Sequence, residues 1–220
     1  MTQSQLQEQL RSLRLGHFAQ ALLQQQSQAT TYDEMSFEER LGLLAQHEIH
    51  CRQDSKVKRL LRQATLRLEA HASRLEYRAE RGLRKDKVAT LLSGQYLHHA
   101  HNIIVTGATG CGKTYFACAL ARQACEQHHT VRYYRLGQLL DELNIGHADG
   151  SYRQQLAQLA KKELLILDDW GMEKLSARQA NDLLDVMEER YQNTSTIIAS
   201  QLPVTEWYKL ISNPTVADAL

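Results

Sequence analysis

The sequence lacks the features that mark membrane proteins and disordered proteins. No apolar run approaches the roughly 20 residues that a membrane-spanning helix needs, and the N-terminus is polar and rich in glutamine. With only 2 Pro and 11 Gly among 220 residues, the chain has little room for long disordered linkers. We therefore expect a folded, mostly helical protein of the cytoplasm, without a membrane partner.

Paired cysteines are also lacking. The 4 cysteines include no Cys-x-x-Cys pair, and three of them recur every seven residues, which fits neither a zinc site nor a disulfide framework. Five histidines lie between positions 98 and 129, but no cysteine or carboxylate stands at ligand spacing beside them. We expect no metal site in this histidine cluster.

Positive charge is concentrated in one stretch of the chain. Residues 51–87 hold twelve Lys and Arg against five Asp and Glu, a net charge of +7 in a protein whose net charge is +1. Such a stretch is typical of proteins that bind a phosphate-rich partner, although many basic runs are only solvated helical faces. Aromatic residues that could stack on bases are scarce here, which favours contacts with the backbone of duplex DNA.

Residues 1–70 are predicted to form a small helical domain. Apolar residues at helical spacing predict one amphipathic helix from about residue 6 to residue 22. Ser36 and Glu39 form a capping box, which begins a second helix. The predicted buried face of this second helix is Phe37, Leu41, Leu44, Ala45 and Ile49. A third apolar pattern consists of Val57, Leu60, Leu61, Ala64 and Leu68.

Residues 71–95 are predicted to be a basic connector, and residues 96–220 an α/β domain. In this domain short apolar or β-branched runs alternate with helical stretches, and this alternation predicts a parallel sheet covered by helices. Ser176 and Gln179 form a capping box at the start of one of these helices. The predicted strands span residues 103–106, 131–134, 164–167 and 196–200.

A phosphate-binding loop follows the first predicted strand. Residues 107–114 read Gly-Ala-Thr-Gly-Cys-Gly-Lys-Thr, and a helical pattern follows them. In such a loop, backbone N–H groups surround the β-phosphate, the lysine reaches the β- and γ-phosphates, and the threonine hydroxyl binds Mg²⁺. The sequence therefore predicts a P-loop that binds ATP with Mg²⁺. Its predicted nucleotide-binding residues are Gly107, Ala108, Thr109, Gly110, Cys111, Gly112, Lys113, Thr114 and Tyr115.

Two carboxylates end the third predicted strand. Asp168 and Asp169 follow an apolar run, as in the acidic strand that holds magnesium in P-loop enzymes. We predict that Asp168 and Thr114 hold Mg²⁺, and that Asp169 polarises the attacking water. Asp169 is one methylene shorter than the glutamate of many P-loop ATPases, so we expect either a tighter site or slow hydrolysis. Lys113 and Gln201 are the other catalytic candidates.

The fourth predicted strand ends at two polar residues. Some P-loop ATPases place a polar sensor on a strand between the P-loop strand and the acidic strand. Gln201, or failing it Ser200, is predicted to contact the γ-phosphate or the attacking water. The alternative is that Gln201 is only a polar residue at the end of a strand.

Five segments carry a resemblance to a known family. They are residues 36–41 (SFEERL), 102–114 (NIIVTGATGCGKT), 167–171 (LDDWG), 189–191 (ERY) and 196–203 (TIIASQLP). Together they resemble the IstB-like ATP-binding proteins, helper ATPases of insertion sequences, which belong to the AAA+ group with replication initiators and helicase loaders. The resemblance extends over nearly the whole chain.

The resemblance implies an ATP-dependent regulator that assembles as a homo-oligomer on duplex target DNA, with ATP between neighbouring subunits, and assists a transposase. It implies a DNA-facing helix drawn from residues 136–160. It also implies an arginine after residue 214 that completes the neighbouring subunit's site. None occurs there before residue 220, so we expect an ATPase domain truncated at its C-terminus, with weak hydrolysis. The predicted DNA-binding residues are Lys56, Arg59, Arg62, Arg78, Arg81, Arg153 and Lys161.

The leading hypothesis is therefore a DNA-binding AAA+ ATPase that acts as a transposition helper. A loader of a replicative helicase is the main alternative, because it would share the ATPase core and would bind a protein through the N-terminal helices. A small-molecule kinase would need a basic lid inside the α/β domain, whereas the basic stretch precedes that domain. A nucleotide-gated binding protein that scarcely hydrolyses ATP is a further alternative, consistent with Asp169 and the missing arginine.

Overall fold

The computed structural model describes residues 2–77 and 82–211 of the chain. The chain divides into two compact units, Met1–Arg59 and Leu60–Leu220. This division lies earlier than the predicted end of the helical domain at residue 70, because Leu60, Ala64 and Ala70 are buried in the core of the second unit. None of the helices in the described part of the chain has the length and apolar character that crossing a membrane requires.

Short helices build most of the first unit. Two helices replace the single helix predicted over residues 6–22, because Arg14 between them adopts a left-handed φ of 59° that a continuing α-helix does not allow. The helices of this unit are α1 (Gln3–Ser12), α2 (Gly16–Ser27), α3 (Ala29–Tyr32) and most of α4 (Phe37–Ala64). The predicted second helix and the third apolar pattern as far as Ala64 thus belong to one 28-residue helix, α4, and Leu68 lies beyond its end.

The predicted capping box at the start of α4 is confirmed. The backbone N–H of Ser36 donates to Glu39 Oε2 at 2.8 Å, and the backbone N–H of Glu39 donates to Ser36 Oγ at 3.2 Å. The predicted buried face is wrong in most positions, because the short helices α1–α3 offer α4 little surface. Within the first unit, only Leu44 and Glu48 of α4 are buried. The exposed members of the predicted face are Phe37, Leu41, Ala45 and Ile49.

The interior of the first unit is partly polar. The buried carboxylate of Glu48 accepts hydrogen bonds from the Phe18 backbone N–H at 2.7 Å and from Arg52 Nε at 2.6 Å. Burial opposes the charge of Glu48, but the bonds from Arg52 and Phe18 outweigh it and lower the pKa of Glu48. The amide of Gln7, also buried, donates to the Ala19 carbonyl at 2.9 Å.

The second unit is an α/β domain. Its helices are the end of α4, a 3₁₀ turn at Ala72–Arg74, α5 (Lys85–Leu92), α6 (Gln95–His98), α7 (Lys113–Glu126), α8 (Leu136–Asp149), α9 (Tyr152–Ala160), α10 (Ala177–Arg190) and a 3₁₀ helix at Val204–Lys209. Its strands are β1 (Ile103–Thr106), β2 (Val131–Arg135), β3 (Leu164–Trp170) and β4 (Ser195–Ser200). All four predicted strands are therefore present, each within a few residues of the expected bounds.

The four strands form one parallel sheet in the order β1-β4-β3-β2. The prediction of a parallel, helix-covered sheet is confirmed. Successive side chains of a strand point to opposite faces of the sheet, and the apolar residues of β3 are divided between the two faces in this way. Leu164 and Ile166 pack in a core with α7, while Leu165 and Leu167 pack in a second core with helices α8–α10. The strands β3 and β4 are buried on both faces, which explains the near-continuous apolar run of β3, whereas residues of β1 alternate between half-buried and exposed.

Two features of the helical layer correspond to sequence predictions. The capping box of α10 is confirmed, since Ser176 Oγ accepts from the Gln179 backbone N–H at 3.3 Å and Gln179 Oε1 accepts from the Ser176 N–H at 2.9 Å. The interval between β2 and β3, predicted to supply an extra helix, contains both α8 and α9. Gly150 separates them with a left-handed φ of 81°, which glycine adopts readily.

Candidate nucleotide-binding site

The loop between β1 and α7 has the backbone of a phosphate-binding loop. Gly110 and Gly112 adopt left-handed φ angles of 80° and 95°, which residues with a side chain adopt only with strain. Gly112 caps the start of α7, so the loop leads directly to a helix N-terminus, where the partial positive charge favours anions. The Lys113 ammonium group donates to the carbonyl oxygens of Gly107 at 2.7 Å and Ala108 at 2.9 Å.

The acidic end of β3 lies beside the start of α7. Asp168 is 1% exposed, and its Oδ2 accepts hydrogen bonds from the hydroxyl groups of Thr114 and Tyr133, each at 2.7 Å. Its Oδ1 accepts from the backbone N–H of Asp169 at 2.9 Å. The structure therefore brings together Thr114 and Asp168, the two residues predicted to hold Mg²⁺. Hydroxyl and carboxylate oxygens are ligands that Mg²⁺ accepts, so the residues present fit this ion.

Asp169 has an unusual backbone. Its φ is 59°, and the pairing of β3 with β4 shifts in register between Leu167 and Trp170. A residue with a side chain rarely adopts this conformation, and such conformations persist where the surrounding structure enforces them. The two neighbouring carboxylates lie in different environments. The Asp169 side chain is 34% exposed, whereas that of Asp168 is only 2% exposed.

Two arginines that sequence reasoning did not select contact the acidic strand end. Arg67 Nη1 lies 3.3 Å from Asp169 Oδ2 and 3.9 Å from Asp168 Oδ2, and Arg135 Nε lies 3.5 Å from Asp169 Oδ2. Arg135 ends β2 directly beside Asp168 in the parallel register, so a correct strand order would have identified it. Arg67 follows α4, and nothing in the local sequence distinguishes it from the other arginines of the basic stretch.

Burial and hydrogen bonding shift the pKa of two groups at this strand end. Burial, and next the bond to Asp168, raise the pKa of the Tyr133 hydroxyl, which therefore remains a proton donor. Burial opposes the charge of Arg67, but Tyr133 and then the carboxylates of Asp169 and Asp168 outweigh it and raise the pKa of Arg67. The guanidinium group of Arg67 is therefore a permanent cation at the acidic strand end.

Of the two polar residues considered at the end of β4, only Gln201 faces the phosphate-binding loop. Its Oε1 accepts a hydrogen bond from Thr109 Oγ1 at 2.7 Å. Ser200 is fully buried, and its hydroxyl donates to the carbonyl of Trp170, at the end of the neighbouring strand β3, at 3.0 Å. The structure thus distinguishes between two candidates that the sequence had left open.

One cavity of about 360 Å³ connects these groups. It includes most of the predicted site and adds three residues that were not predicted, Arg67, Leu68 and Ala199. Its predicted lining residues are Thr109, Gly110, Gly112, Lys113, Thr114, Tyr115, Asp168, Asp169 and Gln201. The remaining predicted loop residues are Gly107 and Ala108, whose carbonyls bind Lys113, and Cys111, which is an exposed thiol.

Tyr115 lines the same cavity as the acidic residues. Its hydroxyl accepts from the His71 backbone N–H at 3.2 Å and lies 3.4 Å from the His71 carbonyl, to which it donates. The chain after α4 is therefore attached to the start of α7 by a tyrosine next to the phosphate-binding loop. The exposed Leu68 lies in the same cavity wall.

The predicted DNA-binding residues lie on several elements of the described structure. Lys56 and Arg59 are exposed on the part of α4 in the first unit. In the second unit, the exposed Arg62 lines a cavity of about 550 Å³, whereas Arg153 lines a cavity with three carboxylate residues, and Lys161 is exposed after α9. The carboxylates beside Arg153 are Asp185, Glu188 and Glu189. The remaining candidates, outside the described residues, are Arg78 and Arg81.

The strand order and the site together define a class of protein. The strand β4, which leads to Gln201, lies between the P-loop strand β1 and the acidic strand β3. This is the sheet of an AAA+ P-loop nucleotide-binding protein, in which the polar end of the inserted strand faces the phosphates.

Comparison with known proteins narrows the class to one family. The family model described as IstB-like ATP binding protein matches residues 8–220, and the chain belongs to this family. The chain is 46% identical over 204 residues to the Pseudomonas fluorescens protein named "Insertion sequence IS1162 putative ATP-binding protein", covering 92% of this chain and 87% of that one. It is 41% identical over 188 residues to an insertion sequence ATP-binding protein, y4pL, of Sinorhizobium fredii, covering 86% and 77% of the two chains.

Solved structures share the fold at low sequence identity. DnaA from Aquifex aeolicus bound to AMPPCP gives a TM-score of 0.61 at 18% identity, covering 70% of this chain and 48% of DnaA. The DnaC helicase loader gives a TM-score of 0.59 at 18% identity, covering 74% of this chain and 93% of DnaC. These likenesses confirm the AAA+ fold.

Proposed function

We propose that the protein is an ATP-dependent DNA-binding ATPase that assembles on duplex DNA in the cytoplasm and assists a transposase. The observation that carries this proposal is the convergence of Lys113, Thr114, Asp168 and Gln201 on one cavity, in a chain of the IstB-like family. The relatives named as insertion sequence ATP-binding proteins support a role in the movement of such elements.

The residues of the cavity have distinct roles in the proposed reaction. Lys113 would leave the loop carbonyls and bind the β- and γ-phosphates, whose charge is also attracted by the N-terminus of α7. Thr114 and Asp168 would hold Mg²⁺, which neutralises charge on the phosphates when it is bound. Asp169 would accept a hydrogen bond from the attacking water, and Gln201 would orient that water or the γ-phosphate.

DNA binding and assembly are further parts of the proposal. We assign backbone contacts with duplex DNA to the predicted basic residues, because exposed cations bind phosphates without reading sequence. The candidates within the described residues are Lys56, Arg59, Arg62, Arg153 and Lys161. We further propose a homo-oligomer with ATP between neighbouring subunits. The proposed functional division remains the predicted one. It consists of a helical region over residues 1–70, a connector over residues 71–95 and an ATPase region over residues 96–220.

Light scattering after size-exclusion chromatography tests the coupling of ATP to assembly. The protein is measured with and without duplex DNA, in ADP and in a non-hydrolysable ATP analogue. We expect large assemblies only with the analogue and DNA, and we expect Lys113→Ala to abolish them by removing the phosphate-binding cation. Lys174→Ala, which removes an exposed lysine outside the cavity, is the matched control.

Two outcomes would contradict the proposal. A monomer under every condition would exclude ATP-driven assembly on DNA, and assembly by Lys113→Ala at the wild-type level would exclude coupling to the nucleotide site. A preference for single-stranded DNA would favour the helicase-loader alternative. A salt titration gives a further measurement, because binding through phosphates must weaken steeply as the salt concentration rises.

A further inference from the structure

A permanent cation occupies the edge of the candidate metal site. The Arg67 guanidinium lies 3.3 Å from the carboxylate of Asp169 and 3.9 Å from that of Asp168. Asp168 is the buried carboxylate that bonds the Thr114 hydroxyl at 2.7 Å. Arg67 is thus already paired with both carboxylates on which the proposed Mg²⁺ depends, whereas Arg135 is paired with Asp169 alone.

A guanidinium group and a divalent cation compete for such carboxylates. Both are attracted by Asp168 and Asp169, and they repel each other over the few ångströms that separate positions around one carboxylate pair. Arg67 is 38% exposed, so its side chain has room to move toward solvent, whereas Asp168 is fixed by two hydroxyl groups. The side chain of Arg67 is therefore freer to move than that of Asp168.

Arg67 belongs to a short segment that is attached to the domain on both sides. The Thr65 hydroxyl donates to the Tyr133 carbonyl of β2 at 3.5 Å, and the His71 backbone N–H donates to the Tyr115 hydroxyl of α7 at 3.2 Å. Displacing Arg67 would therefore act on residues 65–71, the segment that follows α4 and forms part of the wall of the nucleotide cavity.

We propose that Arg67 is an internal counter-ion of Asp168 and Asp169 that Mg²⁺ displaces when the nucleotide binds, so that metal occupancy is transmitted to residues 65–71. This proposal rests on the proposed nucleotide and Mg²⁺ site. Arg67 is a positioning residue in this scheme, because it acts through the two carboxylates. It sets the Mg²⁺ concentration at which the site fills.

The test is a Mg²⁺ titration of the full chain with bound fluorescent ADP, compared with the same nucleotide in EDTA. We expect Arg67→Ala to lower the half-saturating Mg²⁺ concentration roughly fivefold, because one competing charge is removed. Arg67→Lys keeps the charge and should remain near the wild type. Arg84→Ala, which removes an exposed arginine paired with Asp86 outside the cavity, is the matched control and should cause no change.

A double-mutant cycle locates the effect. In an Asp169→Asn background, Arg67 loses its nearer partner, so Arg67→Ala should change the half-saturating Mg²⁺ concentration by less than in the wild type. An equal or higher Mg²⁺ requirement in Arg67→Ala overturns the proposal. A wild-type protein that binds no ADP at all would instead overturn the proposed function, and the two failures are thereby distinguished.

Hydrogen exchange supplies a readout apart from metal affinity. In the wild-type protein with ADP, adding Mg²⁺ should increase amide exchange within residues 65–71, since displacement of Arg67 loosens this segment. The increase should be smaller in Arg67→Ala, where the segment is already free of the ion pair. If Mg²⁺ leaves exchange in this segment of the wild type unchanged, the link to residues 65–71 is wrong.

Discussion

Arg190 is a buried cation that pairs with no carboxylate among the described residues, and replacing it tests the energetics of the α/β domain. The residue is 1% exposed at the end of α10. Its guanidinium donates to the carbonyls of Leu159 at 2.5 Å, Lys162 at 2.8 Å and Ser195 at 2.5 Å. It also donates to Thr196 Oγ1 at 3.1 Å. One side chain therefore connects the end of α9, the start of β4 and α10.

Two opposing contributions determine how much Arg190→Ala changes the free energy of unfolding. Arg190→Ala removes the charged donor of the Lys162 and Ser195 carbonyl oxygens and of Thr196 Oγ1, at about 2 kcal/mol each, or about 6 kcal/mol in total, whereas the Leu159 carbonyl keeps the hydrogen bond from the Lys162 backbone N–H. Burial lowers the pKa of Arg190 from 12.5 to about 10, which corresponds to a cost of about 3 kcal/mol for holding the charge inside, and this cost disappears with the side chain. We expect the free energy of unfolding to fall by about 3 kcal/mol, before any contribution from the cavity left behind.

Urea denaturation followed by tryptophan fluorescence measures this loss. Trp170 and Trp207 are buried in the same domain with ring centroids 4.8 Å apart, so their emission reports its unfolding. Arg178→Ala, on an exposed position of α10, is the matched control and should change stability by less than about 0.5 kcal/mol. If Arg190→Ala is as stable as this control, the carbonyl groups are not held by Arg190 and the reasoning fails.

Two more predictions concern buried carboxylates. Tyr133→Phe removes one hydroxyl donor from Asp168, so the free energy of unfolding in urea should fall by about 1–3 kcal/mol, and an unchanged value would contradict the bond. The pKa of Glu48 is lowered in the folded state, so its stabilising contribution is present above its ordinary pKa of 4.5 and is lost as the pH falls through the folded value. Thermal unfolding followed by circular dichroism should therefore show that Glu48→Gln destabilises the protein at pH 7, and that this difference shrinks as the pH is lowered below 4.5. A pH-independent difference would contradict this assignment.

The local features of the fold were predictable from the sequence. Short apolar or β-branched runs identified all four strands, and the apolar run of β3 is nearly continuous because both faces of this strand are buried. The capping boxes of α4 and α10 were predictable, since each depends on two residues three positions apart. The buried face of α4 was not predictable from the sequence, because it depends on which other helices cover α4. Phe37 and Ile49, which were predicted to be buried, are exposed.

The candidate site shows the same division between local and tertiary information. The spacing of Lys113 and Thr114 and the position of Asp168 at a strand end were readable in the sequence, because each requirement is met within a few consecutive residues. The contribution of Arg67 was not readable in the sequence, since 102 positions separate Arg67 from Asp169. Only the packing of the segment after α4 brings the two side chains together. Among many exposed arginines in a basic stretch, the tertiary structure alone decided which one faces the acidic strand end.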